Sequence, residues 1–408
     1  MSRNYRKLKD ISKFLLTSLC ISQLAFSTKS TTSIEELRKK VIKDKYQTSS
    51  LLSKKDILNS RYVSWGVEPS NKTSSINLLS AWKKFEKKKE VVVAVIDTGI
   101  DPNHPFLKDN LYTLSGASSD KNYGVDFSKG RKSINQPIDT HGHGTHVSGI
   151  IKSVYPNVKI LSLKYYNKKA SGKENLNSTI KALQYAVDKG VDIINYSGGG
   201  PEPDLEELRI LKQAEQKGII IIAAAGNEQS NIDIKKNAYF PASYGLSNII
   251  TVTAHDKNLQ ILGSSNYGKK SVDISAPGFR IKSSLPKRKA GFLTGTSQAT
   301  AFASGVAAML ISQFPDLKAS QVKNILIGSA NKSFTFIGKC KSEGRLDAAK
   351  AVELASKVSQ QNKNVKGYAK TAKAKKKQIQ KKRDVANSNK EGKIIYRLNK
   401  PKRLKVAN

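Results

Sequence analysis

Cysteine is scarce in this 408-residue sequence, which contains only Cys20 and Cys340. Cys20 lies in the apolar run "FLLTSLCISQLAF", which follows a basic leader. Ala25 and Ser27 then provide small residues for a cut after Ser27. The run is too short to span a bilayer and is typical of an export signal. Removal of residues 1–27 leaves one cysteine, which excludes an internal disulfide. A lipid-attached Cys20 is the alternative, and the bulky Leu19 before it disfavours that reading.

Acidic residues are also few, with 32 Asp and Glu against 71 Lys and Arg and a net charge of +39. The excess is densest in residues 357–408, where apolar residues are too sparse to form a core. Such a composition predicts a flexible basic tail. Two interpretations stay open, a solvated tail without a partner and contact with a polyanion or an anionic surface.

Long hydrophobic runs are absent, so we expect no stable membrane span. Short apolar runs alternate with amphipathic patterns instead, which predicts an α/β fold with a mostly parallel central sheet and helices on both faces. We expect a propeptide-like segment at 28–61 and one folded domain at 62–356. The predicted strands are 91–97, 158–166, 191–195, 218–226 and 247–254; the predicted helices are 175–190, 204–218, Thr296–Gln313, Ser320–Ala330 and Leu346–Ser356.

Histidine occurs five times, and three of the five lie in "DTHGHGTHVSG", at His141, His143 and His146. The spacing is that of a metallo-hydrolase pattern, but Thr145 stands where that pattern requires an aspartate. The sequence contains no second cluster of ligand residues, and zinc normally takes three or four protein ligands. We therefore predict no metal and no cofactor, and interpret the cluster as a catalytic base with structural neighbours.

A catalytic base for a serine nucleophile needs a carboxylate to orient it. Asp97 ends the apolar run "VVVAVID", at the strand edge where sites of open α/β sheets collect. Ser297 lies in "GTSQATAFASG", where a Gly-Thr turn leads into an apolar helix. Backbone N–H groups at a helix start are unpaired and favour developing negative charge.

The segments "VAVIDTGIDPNHP", "HGTHVSG" and "GTSQATAFASG", in this order, resemble the aspartate, histidine and serine blocks of the subtilisin-like serine peptidases, the subtilases. The resemblance extends over roughly 62–356 and implies the three-layer subtilisin-like fold. It implies Asp97 as triad acid, His143 as base and Ser297 as nucleophile. It also implies Asn227 in "AAAGNE" as the oxyanion donor. The implied substrate-binding residues form two segments. The first substrate segment is Ser197, Gly198 and Gly199, and the second is Ala225 and Gly226.

The resemblance implies a serine endopeptidase that acts on protein or peptide substrates. Together with the export signal, it leads us to expect a monomer that is secreted, periplasmic or on the cell surface. Gly198–Gly199 and Ala223–Gly226 would form the walls of an open pocket, which predicts that large apolar side chains are accepted before the scissile bond. Gln298 and Ala301 depart from the usual residues after the serine, and we expect altered packing only. Phe106 stands where the family often has a calcium-binding aspartate, so a calcium site there is not expected. The alternative function is a catalytically silent member that binds polyanions through its tail.

Overall fold

The computed structural model describes residues 56–113, 122–128 and 136–398. The predicted export signal and nearly all of the propeptide-like segment lie outside these ranges. Ile57 is buried in the main hydrophobic core together with Tyr62 and Trp65. The folded unit therefore includes residues upstream of the predicted boundary at 62.

The central sheet is parallel except at one edge and has the strand order β10-β11-β7-β6-β5-β4-β1-β3-β2. A separate antiparallel hairpin consists of β8 and β9. The strands are β1 Val92–Asp97, β2 Gly124–Asp126, β3 Lys159–Lys164, β4 Ile193–Tyr196, β5 Ile220–Ala224, β6 Ile249–His255, β7 Ile274–Pro277, β8 Ile281–Leu285, β9 Lys289–Leu293, β10 Asn331–Lys332 and β11 Gly344–Arg345.

Side chains along β1 alternate between two hydrophobic cores. Val93 and Val95 enter one core, whereas Ala94 and Ile96 enter the other. This alternation follows from the two-residue repeat of a strand. Because both faces are covered, the strands carry the continuous apolar runs by which the sequence predicts them. All five predicted strands are confirmed, with ends that differ by one or two residues.

Helices cover both faces of the sheet. Val147 of α2 and Phe302 of α5 belong to the first core, whereas Leu183 of α3 and Leu211 of α4 belong to the second. The predicted three-layer α/β class is thereby confirmed. The helices are α1 Leu78–Lys83, α2 His143–Val154, α3 Gly172–Lys189, α4 Leu205–Gln216, α5 Thr296–Gln313, α6 Ala319–Gly328 and α7 Ala348–Leu398.

The C-terminal region differs from its prediction, because α7 runs without interruption to Leu398. The expected boundary at residue 357 therefore falls inside a helix, and the flexibility of the tail stays a prediction. The helix is docked past that point, since Ser359 Oγ donates to Asp316 Oδ1 at 2.9 Å and Gln321 exchanges hydrogen bonds with Asn362. Across the ranges that the structure describes, no helix is both long and apolar enough to cross a membrane.

Candidate active site

The candidate site lies at the carboxyl end of the sheet. Strand β1 has β3 on one side and β4 on the other, so the chain changes direction across the sheet at β1. Open α/β sheets form ligand crevices at such points. Asp97 ends β1, Ser197 follows β4 and Asn227 follows β5. The register of Ile96 with Tyr196 brings Asp97 beside Ser197.

Asp97 and His143 form a close pair. His143 Nδ1 lies 2.8 Å from Oδ1 and 2.9 Å from Oδ2 of the carboxylate. Both partner atoms are acceptors, so the ring proton belongs on Nδ1 and Nε2 is left as an acceptor. Burial lowers the pKa of His143, but the charge and hydrogen bond of Asp97 and the charge of Asp139 outweigh burial. The net pKa therefore lies above the ordinary 6.5.

Asp139 organises the start of α2, a role that the sequence analysis missed. Its buried carboxylate accepts from the backbone N–H groups of His141, Gly142 and Thr145 at 2.7–2.9 Å. It also accepts from the hydroxyls of Thr98 at 2.9 Å and Thr145 at 2.6 Å. Thr98 Oγ1 in turn accepts from Gly144 N–H at 2.9 Å. These bonds tie the residue after Asp97 to the helix that begins at His143.

Ser297 lies in the first turn of α5 and is 7% exposed. Its hydroxyl donates to the Ser197 carbonyl at 3.0 Å. Helix α5 approaches α2 closely, since a Cβ added to Gly305 would lie 2.9 Å from Val154 Cγ1. Ser297 is thus tied to the end of β4 next to Asp97, while its helix packs on the helix that begins at His143.

Asn227 is held by the start of the same helix. Its Oδ1 accepts from Thr296 N–H at 3.0 Å and from Thr296 Oγ1 at 3.3 Å. This contact orients the amide, so Nδ2 faces away from the helix as a donor. Gly295 permits the approach, because a Cβ there would lie 3.2 Å from Asn227 Oδ1. The Asn227 amide and the unpaired Ser297 N–H therefore belong to one rigid corner.

The predicted open pocket between the two substrate segments is wrong. The tip of the Tyr239 ring lies against both Gly199 and Gly226. A Cβ added to Gly199 would lie 2.9 Å from Tyr239 Cζ, and one added to Gly226 would lie 3.0 Å from Cε2. A Cβ on Gly198 would lie 2.7 Å from Tyr165 Oη. Gly198 and Gly199 thus leave room for tyrosine side chains of the protein itself, whereas at Gly226 the Asn266 and Glu228 side chains approach closer than the Tyr239 ring.

An open cavity of about 680 Å³ adjoins the outer end of the first substrate segment. Gly199 and Gly200 form part of its wall, and Leu176 and Phe240 contribute apolar surface. Glu207 at its inner side accepts hydrogen bonds from the hydroxyls of Tyr196 and Tyr244 at 2.6 and 2.9 Å. The cavity therefore lies beyond Gly199, and Tyr239 is not among the residues that line it.

The other two clustered histidines take different positions. His146 is buried, and its Nε2 lies 2.9 Å from the Ile281 carbonyl. Burial and the neighbouring His143 lower the pKa of His146 to about 4, which keeps the ring neutral. His141 is exposed, and its ring lies 5.5 Å from that of Tyr166. No group of three or more His, Cys, Asp or Glu side chains suited to a metal ion occurs among the described residues.

Phe106, at the position where the family often has a calcium-binding aspartate, is buried and packs on Tyr62 with ring centroids 5.4 Å apart. Lys152 Nζ lies 4.9 Å from the centre of the Phe106 ring. Burial lowers the pKa of Lys152 to about 8, so it is still mostly cationic at neutral pH. A fixed positive charge at this position opposes cation binding.

Comparisons with known proteins agree with this arrangement. A model of the subtilase family matches residues 88–368. Subtilisin DY of Bacillus licheniformis is 32% identical over 255 residues, which cover 60% of this chain and 85% of that protein. The major intracellular serine protease of Bacillus subtilis is 35% identical over 242 residues, which cover 57% and 71% of the two chains. Subtilisin-like protease 2 of Plasmodium falciparum is 34% identical over 253 residues, 59% of this chain and 18% of that protein.

Proposed function

Because this chain belongs to the subtilase family and is a serine-type endopeptidase, we propose that Asp97, His143 and Ser297 are its catalytic residues. Protein or peptide chains are the substrates. The single observation that carries the proposal is the contact of His143 Nδ1 with both carboxylate oxygens of Asp97. It fixes the imidazole in the tautomer that leaves Nε2 free to accept a proton.

In the proposed reaction, Ser297 Oγ attacks the scissile carbonyl as its proton passes to His143 Nε2. The hydroxyl first turns away from the Ser197 carbonyl, its acceptor in the substrate-free structure. Such bonds commonly form fully only when a substrate is bound. Asp97 stabilises the imidazolium, which then donates its proton to the leaving amine. Water hydrolyses the acyl-enzyme by the same route in reverse.

Negative charge that develops on the carbonyl oxygen would be bound by Asn227 Nδ2 and the Ser297 N–H. The contact of Asn227 Oδ1 with Thr296 supports this role, because it aims the amide before the reaction begins. Donors that are oriented in advance require no reorganisation in the transition state. The segments Ser197–Gly199 and Ala225–Gly226 would pair with the extended substrate backbone.

A fluorophosphonate probe tests the catalytic assignment. We expect the probe to label Ser297, and we expect Ser297→Ala and His143→Ala to abolish labelling and peptide cleavage. His141→Ala is the matched control, because His141 is a neighbouring exposed histidine without a hydrogen bond to Asp97. Undiminished cleavage by Ser297→Ala, lost on addition of chelator, would replace this proposal with metal-dependent hydrolysis.

Export is also part of the proposal. The basic leader and the apolar run that ends before Ser27 support it, although both lie outside the described residues. The relatives do not decide the location, since one of them is named as intracellular. N-terminal sequencing of protein recovered outside the cytoplasm tests the proposal. Full-length chains retained in the cytoplasm would contradict it.

The alternative of a silent polyanion-binding protein is disfavoured by the Asp97–His143 pair. Polyanion contact can nevertheless accompany catalysis. Between residues 373 and 383, α7 carries six basic side chains that are exposed, Lys373, Lys376, Lys377, Lys381, Lys382 and Arg383. A dense row of cations attracts polyanions through counterion release. Labelling of Ser297 separates an active enzyme that binds polyanions from a silent protein.

A further inference from the structure

The two substrate segments are both anchored to the nucleophile. The Ser197 carbonyl accepts from Ser297 Oγ, and Asn227, which follows Gly226, accepts from Thr296 N–H. The slot between Gly199 and Gly226 therefore opens directly beside Ser297. In the function proposed above, a side chain that enters this slot belongs to the substrate residue whose carbonyl is attacked.

Tyr239 occupies this slot. The hydroxyl end of its ring lies between Gly199 and Gly226. A Cβ added to Gly199 would clash with the ring, and one added to Gly226 would lie 3.0 Å from Tyr239 Cε2, which is tighter than ordinary contact. Protein interiors pack to the density of organic crystals, so a second ring cannot share the space. Burial and the charge of Glu228 raise the pKa of Tyr239, which keeps the hydroxyl neutral beside these walls.

The backbone on both sides of Tyr239 holds the ring in place. Gly200 and Phe240 exchange two hydrogen bonds, at 3.0 and 2.8 Å, which join the tyrosine segment to the first substrate segment. The Tyr239 N–H donates to Ser243 Oγ at 3.0 Å, and the Ser243 N–H donates to the Tyr239 carbonyl at 2.8 Å. Withdrawal of the ring would therefore require a change at its own side-chain torsions while the backbone stays fixed.

We propose that Tyr239 is a specificity-determining residue that restricts this peptidase to substrates with a small residue, glycine, alanine or serine, before the scissile bond. The inference rests on the proposed function and adds the substrate class. A small side chain ends before it reaches the ring. A phenylalanine or leucine side chain would overlap the ring and would bind only after the ring is displaced. Affinity for the rest of the substrate comes from backbone pairing and from the cavity beyond Gly199.

The test uses peptidyl p-nitroanilides that differ only in the residue before the scissile bond, alanine in one and phenylalanine in the other. For the full chain, we expect kcat/KM to favour alanine by about 100-fold, since pocket shape commonly discriminates by factors of 10 to 200. Tyr239→Gly should raise kcat/KM for the phenylalanine substrate by a similar factor. Tyr239→Phe retains the ring and should keep the preference for alanine.

Fluorophosphonate labelling of Ser297 is measured in each variant, so that failure of the specificity proposal can be distinguished from failure of the catalytic assignment. Efficient cleavage after phenylalanine by the unmodified chain would overturn the specificity proposal and leave the catalytic assignment intact. The same conclusion follows if Tyr239→Gly is labelled normally but keeps the alanine preference. Absence of Ser297 labelling in the unmodified chain would overturn the proposed function, and this inference with it. Tyr239→Ala, which leaves the backbone less free, replaces the glycine variant if that variant does not fold.

Discussion

Substitution of Asp139 by asparagine should impair catalysis although the residue lies outside the triad. In the structure, Oδ1 accepts from Thr98 Oγ1, His141 N–H and Gly142 N–H, and Oδ2 accepts from the N–H and hydroxyl of Thr145. Asparagine has one acceptor oxygen and one NH₂ group. Its least unfavourable orientation keeps the oxygen at the Oδ1 position and turns the NH₂ group toward Thr145.

In that orientation the Thr145 hydroxyl can rotate to accept, but the Thr145 N–H is left facing another donor. One unsatisfied buried N–H costs about 1–3 kcal/mol of the free energy of unfolding. The same loss loosens the start of α2, on which the position of His143 relative to Asp97 depends. A displacement of about 1 Å in a catalytic group can reduce the rate by about 100-fold. We therefore expect a lower melting temperature and a lower kcat with Asp139→Asn.

The pH profile distinguishes positioning from a general loss of stability. His143 must be neutral to accept a proton, so kcat/KM of the unmodified enzyme should rise with pH through an ionisation above 6.5. The charge of Asp139 contributes to the raised pKa of His143. Removal of that charge should therefore move the acid limb of the profile, the part where kcat/KM rises with pH, to lower pH. Asp273→Asn is the control, because Asp273 is a buried aspartate directly before β7 that accepts from Thr251 N–H and pairs with Lys323. It should lower stability without moving the limb. An Asp139→Asn enzyme with unchanged kcat and an unmoved acid limb would refute the reasoning.

Three further results are expected. Asn227→Ala should lower kcat in a peptide assay by about 100- to 1,000-fold. Asn227→Asp should lower kcat as much, but it should retain more of the melting temperature because it keeps an acceptor for the Thr296 N–H. Chelator should leave the melting temperature of the enzyme unchanged, because the Lys152 ammonium lies over Phe106 where a cation would bind, and a large drop would reveal a calcium site elsewhere. Truncation after Asn364 should preserve cleavage of a small neutral peptide and reduce retention on heparin at low salt. Truncation after Ser356 should also lower the melting temperature, since it removes the contacts of Ser359 and Asn362.

The strands and most helices could be predicted because their signals are local. An apolar run such as "VVVAVID" has few alternatives to a buried strand, and the helix at 175–190 carries a capping box at Ser171 and Glu174 and a glycine, Gly190, at φ +64° where it ends. The continuation of α7 beyond residue 357 is not indicated by apolar content, which predicts a core and does not decide whether a segment is helical. Lysine, alanine and glutamine are good helix formers whatever core they lack, and the docked turn through Asn362 supplies a start for the helix.

The Asp97–His143 pair could be predicted from two sequence blocks, but those blocks do not predict the role of Asp139. A local signal was nevertheless present. Aspartate just before a helix commonly accepts from backbone N–H groups of the first turn, and Asp139 precedes the helix start at His143 by one turn. The hydrogen bond from the Thr98 hydroxyl to Asp139 could not be predicted from a local pattern, because it joins residues 41 positions apart.

Tyr239 shows where local reasoning about glycine fails. A glycine beside an active site has two physical meanings, since the missing side chain leaves room either for a ligand or for another part of the protein. Nothing in "NYSGGG" or "AAAGNE" separates the two, because the occupant comes from a later loop that is held by the Gly200–Phe240 pair. Exchange of the ring for glycine should therefore restore the open slot that the two segments predict by themselves. The proposed substrate preference therefore depends on a residue outside the sequence blocks that carry the resemblance to the family.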